Sequence, residues 1–142
     1  MYKQNTELDL RPDTDYRYVI SSQHRKIGNP HKSVWTITYE EEVMCFIMSI
    51  NSNWNDDSIS WGIKLSSSSS LHVIGKNTAN EELKIAKFVD GSNNDIWHGY
   101  PADYKNNVQD IPPSTVLEKW KNNKYINKSH VRKIKQQLLC NL

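Results

Sequence analysis

The chain has 142 residues, 37% hydrophobic, 24% charged and 10% aromatic, with a formal net charge of +2 at pH 7. That length suits one domain with a sizeable core, and five Trp with seven Tyr argue against a wholly disordered chain. The longest apolar run, Val43 to Ile50, falls far short of the roughly 18 residues a membrane helix needs. No apolar segment of signal-peptide type follows Met1 to Asn5, and Cys45 and Cys140 are too few for a disulfide framework or a zinc site. The expectation is a cytoplasmic protein with no membrane association.

The small net charge conceals a division. From Ile111 to Leu142 there are seven Lys or Arg (Lys119, Lys121, Lys124, Lys128, Arg132, Lys133, Lys135) against one acid, Glu118, whereas residues 1–110 hold eleven basic and fifteen acidic groups. We therefore expect a single domain, 1–142, with an acidic, mostly β body over 1–110 and a basic helical pair over 111–142. A basic element on an acidic body suits a polyanion or an acidic protein surface as partner, although such a Lys-rich face is more often simply solvated.

In chain order, Pro12 with Asp13 and Asp15 marks a turn. Tyr16, Tyr18 and Ile20 then alternate as one face of a strand. Ser22 to Lys32, containing Gly28-Asn29-Pro30, reads as a connection. Trp35, Ile37 and Tyr39 alternate with Thr36 and Thr38, a half-buried strand pattern. Glu40-Glu41-Glu42 reads as a turn or solvated strand end, and Val43 to Ile50, apolar on both faces, as a central strand. Asn51 to Asp57 is a polar turn holding Trp54. Ile59, Trp61, Ile63 and Leu65 give the cleanest alternation in the chain. The run Ser66 to Ser70 has nothing to pack and predicts a mobile loop. Leu71 to Ile74 and Leu83 to Val89 read as strands around a turn at Gly75-Lys76-Asn77. Residues 90–95 are dense turn chemistry, and Trp97 to Tyr104 does not alternate, so it reads as an irregular aromatic loop.

The period changes after Pro112-Pro113. Val116, Leu117 and Trp120 share a helical face, and Thr115 with Glu118 has capping-box spacing, which predicts a helix over 115–123. Asn127 or Ser129 can cap a second over 127–137, with Val131, Ile134 and Leu138 recurring on one side. The predicted fold class is α+β: a mostly antiparallel sheet of about five or six strands, an irregular aromatic loop and a C-terminal pair of short helices.

The loop from Trp97 to Tyr104 holds the densest set of chemically capable side chains. His98 is an acid or base near neutral pH, Tyr100 offers a hydroxyl, Asp103 a carboxylate, and Gly99 the close approach of a ligand. Aromatics in such a loop more often pack than catalyse. A binding role is compatible with that, with Trp97, His98, Tyr100, Asp103 and Tyr104 as contact residues for a protein partner. An enzyme would draw on His98, Tyr100, Asp103 and His24. In a metal-independent nuclease one imidazole takes the 2′-hydroxyl proton, a second protonates the leaving oxygen, and Lys26 or Arg25 stabilises the charged phosphorane. Walker, GxGxxG, GxSxG, HExxH and CxxC patterns are absent, so neither cofactor nor metal is expected.

The last two helices resemble a helix-turn-helix in spacing, without the glycine often found in its turn. Lys128, His130, Arg132, Lys133, Lys135 and Gln136 would face a duplex, the cations on phosphates and Gln136 on an adenine edge. Three functions go forward. The first is a small, non-enzymatic interaction protein of accessory, immunity-type or regulatory kind, suggested by aromatics expected at the surface (Trp54, Trp61, Trp97, Tyr100, Tyr104). The second is a nucleic-acid-binding protein using the C-terminal helices. The third is a metal-independent nuclease or hydrolase centred on His98.

Overall fold

Thr38 ends the strand periodicity that begins at Trp35. Its hydroxyl accepts from Glu41 N at 3.1 Å while the Glu41 carboxylate accepts from Thr38 N at 3.0 Å. This reciprocal capping box opens a helix, α1 (Tyr39–Asn51). Glu40, Glu41 and Glu42 form its first turn, where carboxylates suit the positive end of the helix dipole. Val43 to Ile50 is therefore helical, not a central strand. A run apolar on both faces fits a buried helix as well as a strand, and here Val43, Cys45, Phe46 and Ile47 are buried while Met44 is 61% exposed.

The structure is a computed structural model describing residues 2–26, 31–67 and 70–142, and its fold is α+β. The strands are β1 (Glu7–Asp9), β2 (Arg17–Val19), β3 (Val34–Trp35), β4 (Asn55–Asp56), β5 (Ile59–Gly62), β6 (Gly75–Lys76), β7 (Glu82–Leu83), β8 (Ile85–Val89) and β9 (Ile96–Ala102). Six form one sheet in the order β1-β2-β9-β8-β5-β4, and three form another in the order β3-β6-β7. Their pairs are antiparallel except β2 with β9, which run parallel with Arg17 opposite Ile96. Leu71 to Ile74 is not a strand of either sheet, but Leu71 bridges Leu65, and Ile74 donates to the Leu83 carbonyl and accepts from Thr36 N, both at 2.9 Å. Part of the serine run, Ser68 and Ser69, lies outside the described residues, as does Gly28-Asn29-Pro30.

The segment read as an irregular loop is mostly the longest strand. In β9, Trp97, Gly99 and Pro101 are buried while Ile96, His98 and Tyr100 are half-buried, the two-residue alternation of a strand with unlike faces. Glycine and proline obscure that alternation in the sequence, yet both have places here. A Cβ at Gly99 would lie 2.3 Å from Phe88 Cδ1 and 3.0 Å from the Lys87 carbonyl oxygen, so only glycine lets the Phe88 ring cross the strand. Pro101, with no N–H to give, lies past the end of β2, which pairs only with Ile96 and Trp97.

Two apolar clusters flank this sheet. One joins Tyr18, Trp35, Phe46, Phe88 and Trp97; the other joins Trp54, Trp61, Ile63, Leu117, Trp120 and Ile134. Trp54, Trp61 and Trp97 are each no more than 3% exposed, which corrects the expectation that they lie at the surface. The second cluster is closed by α2 (Ser114–Asn122) and α3 (Lys128–Lys135). Pro113 is the N-cap of α2, without a side-chain cap bond, so the Thr115–Glu118 spacing is not used as a box. Asn127 caps α3 instead: its side chain accepts from His130 N at 2.9 Å, and His130 Nδ1 accepts from Asn127 N at 3.2 Å. Gln137 turns left-handed with φ 57°, which ends the helix and leaves Leu138 46% exposed instead of on the Val131–Ile134 face.

Urea unfolding checks this packing. Trp97→Ala should cost about 3–5 kcal/mol by opening a cavity, and Gly99→Ala about 1–3 kcal/mol or more by overpacking against Phe88. Met44→Ala should stay within about 0.5 kcal/mol of wild type. Equal midpoints for Gly99→Ala and wild type would contradict the close approach of Phe88 to β9.

Candidate functional site

The alternation of β9 aims His98 and Tyr100 away from the Trp97 cluster. The segment after β2 supplies the facing residue. Ser21 caps a one-turn 3-10 helix, Ser22–His24, by accepting from Gln23 N at 3.2 Å. The next residue, Arg25, anchors it to α1. Its guanidinium reaches the Glu42 carboxylate at 2.7 Å, donates to the Ile37 carbonyl and lies 4.7 Å over the Tyr39 ring. On its other oxygen Glu42 accepts from the Tyr18 hydroxyl at 2.5 Å. With Arg25 so held, the His24 ring stacks on Tyr100, centroids 5.3 Å apart and planes 20° from parallel.

Each imidazole is tethered through the same nitrogen. His24 Nδ1 lies 2.9 Å from the Ser33 carbonyl and His98 Nδ1 lies 3.3 Å from the Val89 carbonyl. A carbonyl only accepts, so Nδ1 carries the proton in both rings and Nε2 is the basic nitrogen of the neutral form. Burial holds both imidazoles below the ordinary histidine value. For His24 the bond to the Ser33 carbonyl opposes the burial effect while the nearby charges of Lys32 and His98 push further down, and Asp90 beside His98 partly restores that ring's affinity for the proton.

These side chains line an open, polar cleft of about 750 Å³ that also takes in His31, Lys32, Asn77, Asp103 and Asp110. Its floor is a hydrogen-bonded chain. Tyr100 donates to Asp110 at 2.8 Å, and the other oxygen of Asp110 accepts from Asp103 N at 2.9 Å. The Asp103 carboxylate accepts from Asn77 at 3.1 Å and Asn106 at 2.8 Å. Burial and the Asp110 carboxylate push the Tyr100 hydroxyl well above the ordinary phenol range, so Tyr100 serves as a neutral donor. Lys87, buried in β8, donates to the Gln109 carbonyl at 2.7 Å and lies 3.6 Å from Asp110.

The structure thus brings His24, His98, Tyr100 and Asp103 around one cleft and separates the other candidates from it. Trp97 is in the core, 5.5 Å from the rings of Tyr16 and Phe46. Tyr104 turns to the C-terminal segment, where its hydroxyl donates to the Leu138 carbonyl at 2.8 Å. Arg25, proposed from the sequence as a phosphorane partner, is committed to Glu42, while Lys32 lines the cleft. Lys128, Arg132 and Lys135 on α3, with Gln136 just after it, border a separate groove; Lys133 is half-buried, and the His130 ring is occupied by its cap bond. Sequence reasoning missed Asp110, Lys32, Asn77 and Lys87. Only Lys87 left a signal, a cation inside the apolar stretch Leu83 to Val89.

Among the described residues no three His, Cys, Asp or Glu side chains converge closely enough to hold a metal ion, and no helix is long and apolar enough to cross a membrane. Comparison with protein-family models, curated proteins and solved structures finds no match.

The two histidines give stability a definite pH dependence. Their folded values lie below the ordinary 6.5, so the unfolded chain binds more protons just below that pH and stability rises with pH there. Their contribution is complete above about pH 6.5 and is lost as the pH falls toward the depressed values. Denaturant titrations at about pH 5, 6 and 7 should show this rise, and it should be shallower in His24→Gln/His98→Gln. An unchanged slope in that variant would mean the imidazoles are not held in the unprotonated form.

Proposed function

We propose that the protein is a metal-independent hydrolase of the nuclease type, acting at the cleft between His24 and His98. The observation that carries this reading is the pair of imidazoles from segments 74 residues apart in the sequence, each tethered through Nδ1 and sharing one cleft with Lys32 and Tyr100. Such a pair supplies a base and an acid without further groups.

The roles follow from the charges around each ring. Among the neighbouring charges, Lys32 and His98 disfavour the imidazolium of His24, against the Ser33 carbonyl that favours it, so we assign His24 as the base; Asp90 favours the imidazolium of His98, so we assign His98 as the acid. His24 Nε2 takes the proton of a ribose 2′-hydroxyl as that oxygen bonds to phosphorus. The bond from phosphorus to the 5′-oxygen breaks, and that oxygen takes the proton of His98. The products are a 2′,3′-cyclic phosphate and a free 5′-hydroxyl, with His24 protonated and His98 neutral. Water entering as the base and acid exchange roles hydrolyses the cyclic ester and restores both. Lys32 would offset charge on the phosphorane oxygens.

A second reading keeps the cleft and drops turnover: an interaction protein whose partner is held by His98, Tyr100 and Asp103. It is favoured by the commitment of Asp103 and Asp110 to hydrogen bonds inside the cleft wall, which sets the shape of a receptor more than it supplies reactive charge. Product formation separates the two.

With a dinucleoside 3′,5′-monophosphate as substrate, His24→Ala and His98→Ala should each lower turnover by about 10²–10⁴-fold while each variant still unfolds in a single cooperative transition. The 2′-deoxy analogue should be inert. Because both imidazole values are depressed, the bell-shaped rate profile should peak on the acid side of pH 6.5. A folded His98→Ala protein with full turnover would sink this function.

A further inference from the structure

We propose that the groove between α2 and α3 docks the sugar–phosphate backbone of a single-stranded nucleic acid. The proposal rests on the cleft reading for the fate of the bound strand, and on its own residues for the docking.

The groove, of about 410 Å³, has Glu118 and Lys121 on one wall and Lys128, Arg132, Lys135 and Gln136 on the other, with Val131 between, so four cations face one carboxylate. Lys128, Arg132 and Lys135 recur at i, i+4 and i+7 and so stack along one helix face. All three are exposed, and among the described residues none is within ion-pair distance of a carboxylate; Glu118, the one acid after residue 110, is bonded to Lys121 at 2.9 Å and feels the charge of Lys135 only at longer range. The α3 backbone beneath them is fixed by burial of Val131 and Ile134 and by the Asn127 cap. The cations therefore stand on a rigid support.

Helix electrostatics alone does not account for this arrangement. Arg132, Lys133 and Lys135 lie in the last turn, where cations complement the negative end of the dipole. Lys128 is the first residue of the helix, where a cation opposes the positive end, and it repels Arg132 one turn on. An extended anion along the groove compensates both costs, and neutralised phosphates release counterions as a further driving force. A membrane surface fits poorly, because the only apolar side chain in the groove wall, Val131, is 7% exposed.

The test is fluorescence anisotropy of the full chain with a labelled, uncleavable 2′-deoxy single strand across a salt series. Affinity should fall with salt with a log–log slope of about −2, for three phosphates at about −0.7 each. Lys128→Glu/Arg132→Glu/Lys135→Glu should weaken binding at least about tenfold and flatten the slope, with the Gln triple variant intermediate and unfolding midpoints unchanged. His24→Ala/His98→Ala should bind as wild type. Undiminished binding by the Glu triple variant, a flat salt response, or equally tight binding of poly-glutamate would overturn the docking proposal. Cleavage reports separately: the Glu triple variant should lose activity on long RNA yet keep dinucleotide turnover. Salt-dependent binding by a wild type that cleaves neither substrate would defeat the cleft reading and leave the docking site standing.

Discussion

Glu42 is a carboxylate with no exposed surface, and it is bonded from two sides, by Arg25 and by the Tyr18 hydroxyl. Through these bonds three parts of the chain meet: the start of α1, the middle of β2 and the segment that carries His24. Burial raises the Glu42 proton affinity, and the Tyr18 and Arg25 bonds oppose that rise. Removing one partner of such a buried pair leaves the other uncompensated, which typically costs about 3–5 kcal/mol. The residue next to the pair is His24. Its ring, stacked on Tyr100 and bonded to the Ser33 carbonyl, therefore belongs to the residue directly before one anchored by a charge pair outside the cleft.

β9 provides the other side of that geometry. One face sends Trp97, Gly99 and Pro101 into the packed interior, and the opposite face presents His98 and Tyr100. Its position is fixed by Phe88 seated against Gly99 and by the parallel pairing with β2. The reactive side chains therefore stand on a strand whose other face cannot shift without opening the core. The hydrogen bonds from Nδ1 of both rings go to main-chain carbonyls, so the orientation of each imidazole comes from the backbone. A preorganised acid and base is what proton transfer requires.

Much of the fold is legible in the residues. The strand around Ile59 to Gly62, the helices on Trp120 and Ile134, and the Asn127 cap all follow from local periodicity and capping chemistry. Two elements do not. The stretch Val43 to Ile50 has no polar face to declare its period, and the deciding signal is the Thr38–Glu41 box upstream of it. Ile96 to Ala102 is masked by Gly99 and Pro101, whose reasons lie in Phe88 and in the end of β2, partners distant in sequence. His98, Tyr100 and Asp103 stood out by chemistry alone. The meeting of His24 with them depends on tertiary contacts made by Arg25, which no spacing encodes, and Asp110 carries no local mark of its role.

The central claim is that two imidazoles, both Nδ1-protonated when neutral, share one cleft and sense each other's charge. Nitrogen-15 NMR of the histidine side chains across pH tests it most directly. The structure predicts Nδ1–H tautomers for His24 and His98, both titrating below the ordinary value of 6.5, and an upward shift of the His24 titration when His98 is replaced by Gln. Nε2–H tautomers, or a His24 titration indifferent to that replacement, would contradict the account.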